Sequence, residues 1–99
     1  MEVLAKIENV GTLQQRSFTD QQGQQQTFST LAFVLNLGRD RIYCEAIQET
    51  AVNLSTQEFV VGALYACSLN MRVKTVHSQT SGDWMRTDVT LTGISLFKN

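Results

Sequence analysis

Polar and apolar residues alternate with a period of two along most of this chain, most plainly in its C-terminal third. From Ala63 to Val76 one parity reads Tyr65, Cys67, Leu69, Met71 and Val73, and the other Leu64, Ala66, Ser68, Asn70, Arg72 and Lys74. A strand with one buried face produces that pattern and a helix does not. A polar connection from Ser78 to Asp83, containing Gly82, follows. Trp84 to Phe97 then resumes the alternation, with Met85, Thr87, Val89 and Leu91 set against Trp84, Arg86, Asp88 and Thr90. The prediction is a long hairpin with its more apolar parity turned inward.

The N-terminal half reads in the same way. Val3, Ala5 and Ile7 alternate with Leu4, Lys6 and Glu8, and Val10 and Leu13 carry the apolar signal past Gly11. A glycine inside a strand often marks a bend, so one long, bent strand reaching about Phe18 is expected. Seven glutamines between Gln14 and Gln26 suit a solvated strand end and a hairpin loop around Asp20-Gln21-Gln22-Gly23. Gln26 to Leu37 predicts a second strand with Ser29, Leu31, Phe33, Leu35 and Leu37 inward, and Gly38-Arg39-Asp40 a tight turn. Arg41 to Ile47 predicts a third strand with Ile42, Cys44 and Ala46 inward.

Between Gln48 and Leu54 the period changes. Ile47, Ala51 and Leu54 are spaced by four and three residues, which predicts one or two helical turns. Ser55-Thr56-Gln57-Glu58 has the form of a capping box, but only Phe59, Val60 and Val61 follow before Gly62, too few for a helix. Asn53-Leu54-Ser55 fits a glycosylation sequon, which carries no weight without a secretory signal.

Composition narrows the class. Ninety-nine residues suit one domain, and 42% hydrophobic against 17% charged residues favour a folded chain over a disordered one. No apolar run approaches the roughly 18 residues of a membrane span. Met1 leads directly into an alternating strand rather than a signal peptide, so a cytoplasmic protein with no membrane partner is expected. Cys44 and Cys67 fall on inward parities and read as buried reduced thiols. One histidine and no close cysteine pair argue against zinc, and no cofactor is expected. A formal charge of −1 argues against holding nucleic acid by bulk charge, so the distribution of cations matters more than their total.

Five strands with a helix between the third and fourth predict an all-β fold, a five-stranded OB-fold barrel. The residues that carry this order also resemble a family. Val3-Leu4-Ala5-Lys6-Ile7 before Gly11, Ser29 to Leu35, Ile42 to Ile47 entering the helix, Phe59-Val60-Val61-Gly62, and Trp84 to Val89 together resemble the single-stranded DNA-binding protein superfamily. The chain stops at Asn99, shortly after the fifth strand, and carries one tryptophan. The resemblance includes the short, tail-less domains typified by primosomal replication proteins. The resemblance implies a non-enzymatic module that binds single-stranded DNA, or RNA, in replication, recombination or repair. It also implies a homodimer or homotetramer paired through strand edges.

Single-strand binding needs flat π faces for bases and cations for phosphates along one groove. The outward parity of strands two and three offers Phe28, Arg41 and Tyr43, and the long hairpin adds Arg72, Lys74, Trp84 and Arg86. Each has a plainer reading. Trp84 could cover the barrel mouth or fill a dimer contact, Tyr43 could be an ordinary strand aromatic, and Phe28 could fold under the glutamine-rich loop. Arg72, Lys74 and Arg86 could pair with Glu45 or Asp88 on the surface. The competing function is an assembly domain without nucleic-acid binding, using the outward apolar residues Val34, Ile47, Leu64 and Val76. Catalysis finds little support. His77 lies near Ser78 and Ser81 with no acidic residue placed by sequence to orient it, and Glu45, Glu49 and Asp88 form no pair that the sequence alone defines.

Overall fold

The computed structural model describes residues 1–98 and contains six strands and one helix. These are β1 (Glu2–Val10), β2 (Gln14–Thr19), β3 (Gln25–Asn36), β4 (Arg41–Ile47), α1 (Gln48–Ser55), β5 (Leu64–Val76) and β6 (Trp84–Leu96). The all-β class expected from the alternation holds. The strands form one sheet in the order β1-β5-β6-β4-β3-β2, and β1 also pairs with β3, so the hydrogen bonding runs round a closed ring.

Closure depends on β1 serving two neighbours. Its first half, Glu2 to Lys6, pairs with β5, and its second half, Lys6 to Val10, pairs with β3. A register shift between Ile7 and Asn9 inserts an extra residue on the β1 side and bends the strand. A second extra residue accumulates between Val10, opposite Phe33, and Gln14, opposite Thr30. The single bent strand expected from the sequence is therefore two strands, β1 and β2, along the same edge of β3. At the break the Gly11 amide donates to the Ala32 carbonyl at 2.8 Å. A β-carbon on Gly11 would meet the Ala32 β-carbon at 3.5 Å, ordinary contact, so the glycine relieves no clash there.

The core follows the alternation. Leu31, Phe33 and Leu35 of β3, Cys44 and Ala46 of β4, Ala5 and Ile7 of β1, and Tyr65, Cys67 and Leu69 of β5 are buried together. Ala51 and Leu54 of α1 join them, which explains the local change of period: the short helix lays one apolar edge on the core. Phe59 packs edge-on against Phe33, at 5.7 Å between ring centroids, and against Tyr65, at 5.8 Å. The Tyr65 hydroxyl accepts the Val60 amide at 2.7 Å, which satisfies a polar group at the margin of the core.

The inward parity of the long hairpin ends sooner than its sequence pattern predicts. Leu69 and Leu91 face each other and are buried, but Met71, Val73 and Met85 are exposed. Beyond Leu69 the hairpin projects past the ring, where no second layer covers it. The radius of gyration of 15.8 Å, against roughly 13 Å for a compact chain of this length, reflects that projection. No helix among the described residues is long and apolar enough to cross a membrane.

Candidate nucleic-acid interface

Residues directly opposite one another in an antiparallel pair share a face. In the β5–β6 register Arg72 lies across from Asp88, Lys74 from Arg86 and Val76 from Trp84, so all six belong to one face of the hairpin. Strand β4 reaches β6 through a parallel pairing of Glu45 with Thr90, which brings the outward face of β4 beside the root of that hairpin face. A cavity of about 520 Å³ opens where they meet. Phe28 and Tyr43 line it from one side and Arg72, Lys74 and Arg86 from the other, so five of the seven residues expected from the sequence converge.

The aromatic rings are available to a ligand. Tyr43 is 61% exposed and Phe28 38%. The Tyr43 hydroxyl lies 3.5 Å from the Glu45 carboxylate. Partial desolvation, and secondly the Glu45 charge, raise the Tyr43 phenol above its ordinary value, so it stays neutral at physiological pH.

Two residues stand apart. Arg41 does not line the cavity, because its guanidinium donates to Glu8 of β1 at 2.8 Å at the other end of β4. Trp84 shares the hairpin face but lies two residues beyond Arg86, about 7 Å further out. It is half-exposed there and reaches the cavity only if a ligand runs along the hairpin.

The sequence reading omitted two contributors. Arg16 of β2 lies opposite Phe28 and, with Gln14, Phe28, Thr30 and Glu45, lines a second cavity of about 280 Å³. The two cavities share Phe28, Thr30 and Glu45, so they form one groove running from β2 across β3 and β4 to the hairpin. Placing Arg16 requires the register after the break at Gly11, which the sequence does not show. Glu45 is legible in the sequence as an outward neighbour of Tyr43, as a partner for cations or as one carboxylate of an undefined pair, but not as a groove residue.

Charge in the groove is unevenly paired. Asp88 holds Arg86 at 3.2 Å and Lys74 at 3.8 Å, one of the surface pairings foreseen for these cations. Such exposed pairs contribute about 0–1 kcal/mol and open readily to a better partner. Four of the chain's eight Lys and Arg residues line the groove, against the two carboxylates Glu45 and Asp88. A chain of net negative charge thus has a locally positive face.

No family model, curated protein or solved structure matches the chain. The site is therefore read from its own chemistry.

Among the described residues, acid–base groups elsewhere do not assemble into a second site. His77 does acquire an acidic neighbour that the sequence did not place, Asp83, at 2.9 Å. Both side chains are exposed at the hairpin tip, and the hydroxyl of Ser78 is engaged by the Thr80 and Ser81 amides of the same turn. The pair closes the turn. Among the described residues no group of three or more His, Cys, Asp or Glu is placed to hold a metal ion.

Proposed function

We propose that the chain is a non-enzymatic, cytoplasmic OB-type module that binds single-stranded nucleic acid, DNA in the first instance, in replication, recombination or repair. The observation that carries this reading is the convergence of Phe28 and Tyr43 with Arg72, Lys74 and Arg86 on one groove. Rings accept bases of any sequence while cations track the phosphates, and stacking is worth about 1–3 kcal/mol per base. The closed ring supports the OB assignment. With β1 and β2 counted as one broken strand, the element order is that of a five-stranded barrel with a helix before the fourth strand.

Binding is tested by titrating the protein with single-stranded oligonucleotides at low salt and following the fluorescence of the single tryptophan. A saturable change that weakens when Arg72→Glu and Lys74→Glu are combined supports the reading. An unchanged spectrum, with no shift in the mobility of a labelled oligonucleotide, refutes it.

An assembly domain is the second reading, and the observation in its favour is the exposed apolar hairpin face of Met71, Val73 and Met85. Of the outward residues Val34, Ile47, Leu64 and Val76, Leu64 and Val76 lie at opposite ends of β5 and Ile47 lines the groove, so these three do not share one contact surface. Sedimentation with and without oligonucleotide separates the readings, since a stable oligomer indifferent to DNA favours assembly alone.

A further inference from the structure

Glu45 sits where the two cavities join and lines both. It is half-buried in the middle of the sheet, its backbone paired with Ala32 of β3 on one side and Thr90 of β6 on the other, so its position is fixed. Among the described residues it has no cationic partner: the nearby Lys74 and Arg86 are held by Asp88. Its only side-chain hydrogen bond among the described residues is the long one from Tyr43, at 3.5 Å. An ionised carboxylate offers about four acceptor positions, so most of its capacity faces the groove unused.

A carboxylate in the middle of a polyanion's path repels phosphate and accepts only from donors. A strand in the groove therefore keeps its phosphates toward Arg72, Lys74 and Arg86 and turns its bases toward β4. A base stacked on the Tyr43 ring would present its edge to the carboxylate two residues along the same strand face.

We infer that Glu45 gives the groove a base preference, accepting a hydrogen bond from the exocyclic amino group of cytosine and disfavouring thymine and uracil. The inference rests on the nucleic-acid reading of the groove. Cytosine carries an amino donor where thymine carries a carbonyl oxygen, and that oxygen repels the carboxylate. The two pyrimidines have rings of the same size but differ also in the C5-methyl group of thymine, so the edge is isolated by comparing the wild type with the Glu45 variants on the same two strands.

The test is fluorescence anisotropy at neutral pH with labelled oligo-dC and oligo-dT of equal length. The wild type binds oligo-dC about tenfold more tightly, the low end for a hydrogen bond to a charged group. Glu45→Gln, which presents both a donor and an acceptor, loses the preference mainly by gaining affinity for oligo-dT, and Glu45→Ala loses it as well. Circular dichroism verifies that both variants fold. Equal affinities in the wild type, or a preference that survives in both variants, overturn the role of Glu45 while leaving the groove as a binding site. Failure of both oligonucleotides to bind the wild type overturns the groove reading itself, and this inference with it.

Discussion

Arg72 stands directly across the hairpin from Asp88, yet the carboxylate pairs with Arg86 and Lys74 and leaves the Arg72 guanidinium without an acidic partner among the described residues. Arg72, like Arg16 at the other end of the groove, therefore meets a phosphate without first breaking an ion pair. Arg72→Ala should weaken oligonucleotide binding about five- to tenfold. It should also flatten the slope of log affinity against log salt by about 0.7. Lys74→Ala should do less, and Asp88→Asn should tighten binding by releasing two cations. Anisotropy titrations across a salt series measure all three.

Stacking is separable from charge. Tyr43 is largely exposed, so Tyr43→Ala should leave thermal stability nearly unchanged while costing about 1–3 kcal/mol of binding. Trp84→Ala should cost less, because Trp84 lies beyond the groove on the projecting arm. Paired thermal melts and binding titrations check the contrast.

The two ends of the β5 alternation should respond differently to mutation. Leu69→Ala opens the core and should cost about 2–5 kcal/mol. Met71→Gln and Val73→Thr, on the same parity but past the ring, should stay within about 0.5 kcal/mol of wild type. Denaturant unfolding of the three variants decides whether the apolar parity stops contributing at Leu69.

Burial pushes the Cys44 thiol up to about 12, with the neighbouring Cys67 and Glu45 adding to the shift, and burial also raises Cys67. Neither thiol should react with an aromatic disulfide reagent in the native protein, and both should react once it unfolds. An unfolded thiol ionises near 9.0, while folded Cys44 keeps its proton to about 12. Unfolding therefore releases a proton in that window, and stability should fall as pH rises from 9 toward 12. Urea midpoints measured across that range test the direction.

Much of this arrangement could be read from the chain because alternation reports one-sided burial directly. Ser29 to Leu35 and Ile42 to Ala46 face as their parity predicts, and Ala51 and Leu54 mark the helix by their spacing. What the sequence did not reveal depends on register or on distant partners. The break after Val10 arises from extra residues counted against β3, and the loss of burial past Leu69 from the absence of an opposing layer. Arg41 has the outward parity of Tyr43, but Glu8, which takes it, lies 33 residues away in sequence. Arg16 was overlooked in a glutamine-rich stretch whose alternation is weak, since every residue of β2 is exposed.

The most direct test of the groove is to follow backbone amide resonances while a single-stranded oligonucleotide is added at low salt. The account predicts shifts concentrated at Phe28 and Thr30, from Tyr43 to Ile47, from Asn70 to Lys74 and from Arg86 to Thr92. Little should change at the β1–β5 face around Leu4 and Leu64. A spectrum that does not respond, or one that responds at the β1–β5 face and not in the groove, would contradict it.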